Sequence, residues 1–177
     1  MPNLRLTMLR PEHIDQVMTW INDPDVVRNF QNFDHRFTRE EELRWIENIN
    51  PERDMIFSVF TLDGAYVGQV SINQISRKNK LGRLGLFIKK EFRRKGYGTT
   101  AICKAIQYAF SVLSLRKVWL VVYEDNEKAQ QLYSKIGFKA EGVLEEEYFW
   151  NGKWHNMVRM GFINPSRRGR VKEQKVV

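Results

Sequence analysis

The 177-residue chain is predicted to be α/β, with one mixed, mostly antiparallel central sheet of about seven strands flanked by four helices. Three observations lead to this. Apolar periodicity alternates between the strand and helix values along the chain. Asp63-Gly64 and Asn151-Gly152 are two-residue hairpin signals between apolar runs. Leu84–Gly98, reading LGLFIKKEFRRKGYG, passes from an apolar strand through a basic, glycine-punctuated turn into an amphipathic helix.

The elements follow in order. Leu4–Leu9 alternates apolar and polar residues, as a first strand does. Pro11 opens a helix, where its missing N–H costs nothing, and Ile14, Val17, Met18 and Ile21 form the buried face. Asn22-Asp23-Pro24 stops it. After a loop, Thr38 and Glu41 make a capping box for a helix over Glu40–Ile49, which ends at Asn50-Pro51. Met55–Leu62 and Tyr66–Ile75 read as a hairpin, Ser76–Lys80 as a polar turn, and Leu84–Ile88 as the next strand. Thr99–Leu113 carries Ile102, Ala105, Ile106, Ala109, Phe110 and Leu113 on one helical stripe. Val118–Val122 is almost wholly apolar, which suggests a strand covered on both faces. Asp125-Asn126 can cap a helix over Glu127–Ile136 that Gly137 closes. Lys139–Trp150 and Lys153–Ile163 form the last hairpin.

Composition narrows the function. Hydrophobic residues make up 42% and five tryptophans are present, which suits a packed core rather than a disordered chain. A single cysteine, Cys103, excludes an internal disulfide, suits a reducing, cytoplasmic setting, and reads as a small core residue of its helix rather than a catalytic thiol. No Cys/His spacing suggests a metal site, and no run of roughly 18 apolar residues suggests a membrane span. Residues 1–163 are expected to form one domain, and 164–177 a mobile basic tail. That tail carries half of the net charge of +8. It could touch RNA or an acidic partner, while a polyanionic cofactor accounts for part of the charge on the body.

A strand running into a glycine turn at a helix N-terminus forms an anion site, because unpaired amides and the helix dipole point outward. Arg93, Arg94 and Lys95 add formal charge there. The turn lacks the Gly-Lys-Ser/Thr ending of a P-loop and the third glycine of a dinucleotide fingerprint. A second strand-to-helix junction carries Asn126, Ala129 and Tyr133. Both junctions lie at carboxyl ends of strands, where ligands of such sheets bind.

Arg93-x-x-Gly96-x-Gly98 resembles the coenzyme A pyrophosphate motif of the GNAT superfamily of N-acetyltransferases. Asn126 through Tyr133, with Gly137-Phe138, resembles that superfamily's fourth-helix signature. Glu141-Gly142, Asn151-Gly152 and Arg159-Met160 resemble the branch holding ribosomal-protein, spermidine and nucleotide-sugar amine acetyltransferases. The resemblance spans about Leu4 to Phe162 and implies the acetyltransferase fold, with acetyl-CoA as cosubstrate and no metal.

Residue by residue, it implies that Leu86, Phe87 and Ile88 offer backbone groups to the pantetheine. Arg93, Arg94, Lys95, Gly96, Tyr97, Gly98 and Thr99 would wrap the pyrophosphate. Asn126 would bond the pantetheine, and Tyr133 would protonate the leaving thiolate. Many relatives carry an acidic base on the strand before the glycine turn, but Gly82–Leu86 has no carboxylate. Glu124, Glu145–Glu147 or a water chain could serve instead. The acceptor pocket is expected between the first two helices and the last hairpin, lined by Trp20, Asn29, Phe30, Tyr148, Trp150 and Trp154.

The expected acceptor is a nucleotide-linked amino sugar or a ribosomal-protein N-terminus. A polyamine or other small amine ranks behind, because a polyamine wants an acidic pocket. A homodimer is a further expectation. The competing class is a non-catalytic module that binds CoA or RNA.

Overall fold

Seven strands join one sheet in the order β1-β2-β3-β4-β5-β7-β6 in the computed structural model, which describes residues 2–27 and 35–167. They are β1 Leu4–Met8, β2 Met55–Thr61, β3 Tyr66–Ser76, β4 Leu81–Ile88, β5 Lys117–Tyr123, β6 Lys139–Trp150 and β7 Lys153–Ile163. Every neighbouring pair is antiparallel except β4 and β5. The expected sheet is therefore present, strand for strand.

The four expected helices are present, and among the described residues a further single turn, α2, joins them: α1 Ile14–Met18, α2 Pro24–Val27, α3 Arg39–Glu47, α4 Tyr97–Ser111 and α5 Glu127–Ile136. The extra one arises at Pro24. Its fixed φ suits a first helical position, so the residue expected to stop the first helix opens another, and α1 itself ends earlier, at Met18. The Asp23 carbonyl accepts from the N–H groups of Val26 and Val27. Upstream, Pro11–His13 is a 3-10 turn, so the α-helix proper starts only at Ile14.

Local chemistry sets the other boundaries. The Thr38–Glu41 capping box forms: the Glu41 N–H donates to Thr38 Oγ1 at 3.2 Å, and the Thr38 N–H donates to Glu41 Oε2 at 2.8 Å. Gly137 closes α5 at φ +119, a left-handed C-cap. Strand β4 begins at Leu81, not Leu84, because Leu81–Arg83 carries the whole parallel pairing to Lys117–Trp119. Beyond Arg83 the two strands part, and this wedge organises the site.

Two apolar cores cover the two faces. One packs α4 on β2 to β5 and β7 through Ile102, Ala105, Ile106, Ile72, Val118 and Leu120. The other gathers Val17, Trp20, Ile46, Ile56 and Tyr66 beneath α1 and α3. Strand β2 is buried on both faces, with Phe57 and Val59 facing the first core and Ile56 and Phe60 the second. Strand β5, expected to be covered on both faces, is not. Val118, Leu120 and Val122 are buried, but Lys117, Trp119 and Val121 stay half-exposed. Guanidinium groups lie over the Trp119 ring where a helix would otherwise be, with Arg159 at 4.1 Å and Arg83 at 5.7 Å from its centroid.

Candidate active site

Where β4 and β5 part, a cleft of about 770 Å³ opens. One wall is β4, Leu84–Ile88. The basic turn supplies Arg93, Arg94, Gly96, Gly98 and Thr99, and α5 supplies Lys128, Ala129, Leu132 and Tyr133. Most of the residues expected to hold a cosubstrate thus meet at one opening.

The turn is shaped by backbone conformation more than by charge. Arg94 has φ +62 and Gly96 φ +83, so the chain passes through the left-handed region twice before α4 begins. Arg94 is costly there, and such cost at a cleft marks a functional turn. Arg93 lines the cleft, and its Nε also donates to the Ile88 carbonyl at 2.8 Å, tying the turn to the end of β4. The first N–H groups of α4, those of Tyr97, Gly98 and Thr99, have no intrahelical acceptor and form the positive end of a 15-residue helix. Lys95 and Tyr97 are in the turn but do not line the opening; the Tyr97 ring stands edge-on to Phe92 at 5.4 Å.

Asn126 caps α5, its Oδ1 accepting from the Ala129 N–H at 3.1 Å. Its amide NH2 and the second lone pair of Oδ1 stay available, but Asn126 stands outside the lining of the cleft. Tyr133, two turns on, faces the cleft and packs edge-on to Phe138 at 5.8 Å. Burial pushes its phenol up to about 12, so it keeps its proton at any physiological pH.

The expected acceptor residues separate. Trp20 lines the cleft, but as a fixed wall: it is stacked on Phe87 at 4.1 Å and its Nε1 donates to the Tyr66 hydroxyl at 3.2 Å. Asn29 and Phe30 lie outside the described residues. Tyr148, Trp150 and Trp154, on the β6–β7 hairpin, do not line the cleft. Tyr148 packs on Tyr123, and Trp154 is 58% exposed against Phe149. The candidate bases are elsewhere too. Glu124 accepts from Asn156 at 2.9 Å, and Glu145–Glu147 are exposed on a bulge of β6.

Sequence reading missed the floor. Gln69, Ser71 and Asn73 on β3, with Arg83 on β4, line the cleft between the walls. The signal was a strict polar alternation, Gln69-Val70-Ser71-Ile72-Asn73, inside a run read simply as a strand. Asn73 Oδ1 is buried without a hydrogen-bond partner, as befits a group that meets a ligand, while the Gln69 amide is turned toward the Tyr66 hydroxyl. Also missed was Glu42, 5% exposed on α3, whose carboxyl burial pushes up to about 7.

A family model described as an acetyltransferase (GNAT) domain matches residues 3–139. The chain belongs to the GNAT acetyltransferases. Spermidine N(1)-acetyltransferase of Escherichia coli (strain K12) is 33% identical over 164 residues, 90% of this chain and 87% of that protein. YdaF of Bacillus subtilis (strain 168), named provisionally for ribosomal N-acetyl transfer, is 35% identical over 60% of this chain and 58% of its own. A crystal structure of spermidine N-acetyltransferase from Vibrio cholerae with CoA and spermine superposes with a TM-score of 0.84 at 27% identity, covering 90% of this chain and 95% of that one. Another structure of that Vibrio enzyme is described as dodecameric.

As a GNAT enzyme the protein is an acetyl-CoA-dependent N-acetyltransferase. The cleft fits that cosubstrate. It has an unpaired strand edge for an amide-bearing arm, free helix N–H groups for phosphate, and a protonated phenol in its lining. Among the described residues no cluster of His, Cys, Asp and Glu could hold a metal, and no helix is long and apolar enough to cross a membrane.

Proposed function

We infer that this GNAT enzyme acetylates a primary amine by direct attack in a ternary complex. The carrying observation is the wedge between β4 and β5, walled by Leu84–Ile88 on one side and by Tyr133 on the other. Pantetheine lies along Leu86, Phe87 and Ile88 and bonds the Asn126 amide. Pyrophosphate sits on Arg93–Thr99. A β4 N–H holds the developing oxyanion. Tyr133 donates its proton to sulfur as the C–S bond breaks, and the phenoxide takes up the proton that the newly acylated nitrogen releases, so the phenol is restored.

No carboxylate lines the cleft among the described residues, so the ammonium group of the acceptor loses its proton to solvent before attack. The test is release of free thiol from acetyl-CoA across a panel of amines. Thiol above the hydrolysis background for at least one amine is expected. Intact acetyl-CoA binding with no thiol from any amine would favour the non-catalytic module.

Among acceptors, the names of the relatives favour a polyamine over the sugar nucleotide and ribosomal N-terminus that charge suggested. A panel holding spermidine, an amino-sugar phosphate and a peptide with a free N-terminus ranks the three. The dodecamer of the Vibrio relative likewise supports an oligomer larger than the dimer expected from sequence, a point for sedimentation.

A further inference from the structure

Residues of β4 alternate between the two faces of the sheet. Leu84 and Ile88 enter the core beneath α4, while Phe87 turns the other way and stacks on Trp20. Arg83 and Gly85 share the Phe87 face. Across the antiparallel ladder Asn73 lies opposite Arg83, Ser71 opposite Gly85 and Gln69 opposite Phe87, so these side chains share one floor. The donor residues Gly98, Thr99 and Tyr133 come from α4 and α5, behind the wedge. The floor is thus the acceptor side.

Its chemistry is specific. The cleft lining holds four cationic side chains, Arg83, Arg93, Arg94 and Lys128, and no Asp or Glu among the described residues. Three of the four belong to the turn and α5. Arg83 alone stands on the floor. Its neighbour on the Trp119 ring, Arg159, has a counter-ion in Glu141 at 3.6 Å. Arg83 contacts the same ring and has no hydrogen-bonded or ion-paired partner among the described residues. Beside it, directly across the ladder, Asn73 Oδ1 is buried without a hydrogen-bond partner. Gly85 keeps the surface low: a Cβ there would meet Ser71 Oγ at 2.5 Å. A guanidinium left without an anion is a receptor for a carboxylate or phosphate, because its planar fork matches either; the amide NH2 of neighbouring Asn73 can donate to the same group, leaving its Oδ1 for a donor such as the acceptor's ammonium. Against the polyamine that the relatives' names favour, polyamine ammonium groups would meet Arg83 here and no Asp or Glu among the described residues.

We propose that the acceptor is an amine that also carries an anionic group, and that Arg83, flanked by Asn73, binds that group on the cleft floor and sets specificity. This rests on reading the cleft as the site of acetyl transfer.

The test uses the full chain saturated with CoA and two matched pairs of probes: phosphoethanolamine with ethanolamine, and β-alanine with its amide. By calorimetry the anionic member of at least one pair is expected to bind about ten-fold more tightly or better, the scale of one charge-assisted hydrogen bond. That advantage should fall to near unity in Arg83→Gln and persist in part in Arg83→Lys. Which pair responds identifies phosphate or carboxylate. Equal binding within both pairs by the native chain, or an advantage undiminished in Arg83→Gln, overturns the proposal, as does tighter binding of spermidine than of every anionic probe. The same probes with acetyl-CoA report on transfer separately. Arg83-dependent binding without thiol release keeps the anion subsite and removes the transferase reading. Thiol release that ignores the anion does the reverse.

Discussion

Tyr133 and Glu42 are both buried titratable groups, and burial moves both upward, with opposite consequences. A phenol raised to about 12 is in its acid form at any physiological pH. Tyr133→Phe is expected to lower kcat by about a hundred-fold while leaving the KM for acetyl-CoA near its native value. An unchanged kcat would remove Tyr133 from the proton path. A carboxyl raised to about 7 works against the fold as pH rises, since the unfolded chain releases that proton near 4.5 and the native chain holds it to about 7. Native stability at this site is therefore full below pH 4.5 and declines up to about 7. Glu42→Gln should raise stability at pH 8 by about 1 kcal/mol or more and change nothing near pH 4. Thermal melts at the two pH values check it.

At the scale of elements, the site is two strand-to-helix junctions brought side by side, each set by its own cap. Asn126 has two roles that a single substitution can separate. Asn126→Ser keeps an oxygen for the Ala129 N–H and loses the amide NH2, so stability should hold while acetyl-CoA affinity falls several-fold. Asn126→Ala should lose both, with a stability cost of about 1 kcal/mol. Equal affinity in the two variants and the native chain would make Asn126 a cap alone. At the other junction, Gly96 at φ +83 lies where an added Cβ would come 3.2 Å from Pro2 Cδ. Gly96→Ala is expected to destabilise by about 1 kcal/mol and to weaken the pyrophosphate turn. Melting and CoA titration measure the two effects.

For the whole molecule, the proposed donor and acceptor sides share one cleft, and Cys103, the single thiol, does not line it. Initial velocities against both substrates should therefore give intersecting lines; parallel lines would mean a covalent acetyl-enzyme. With no carboxylate at the cleft, log kcat/KM should climb with unit slope toward the pKa of the amine, about 10 for an ordinary primary amine. A plateau near pH 7 would reveal a protein base instead.

The order and type of every strand, the Thr38 box, the glycine turn and the whole of α5 were legible in the sequence, because each depends on residues within a few positions of one another. The residues expected to hold the cosubstrate could be picked out for the same reason, and most of them line one cleft. What only the tertiary structure decided was the floor of that cleft. Whether Trp20 lines the cleft while Trp154 does not depends on how separate elements meet. That Arg83 stands uncompensated on a floor with Asn73 depends on the β3–β4 register and on β5 parting from β4 after Arg83. Those are contacts between residues far apart in the chain, and no local spacing encodes them.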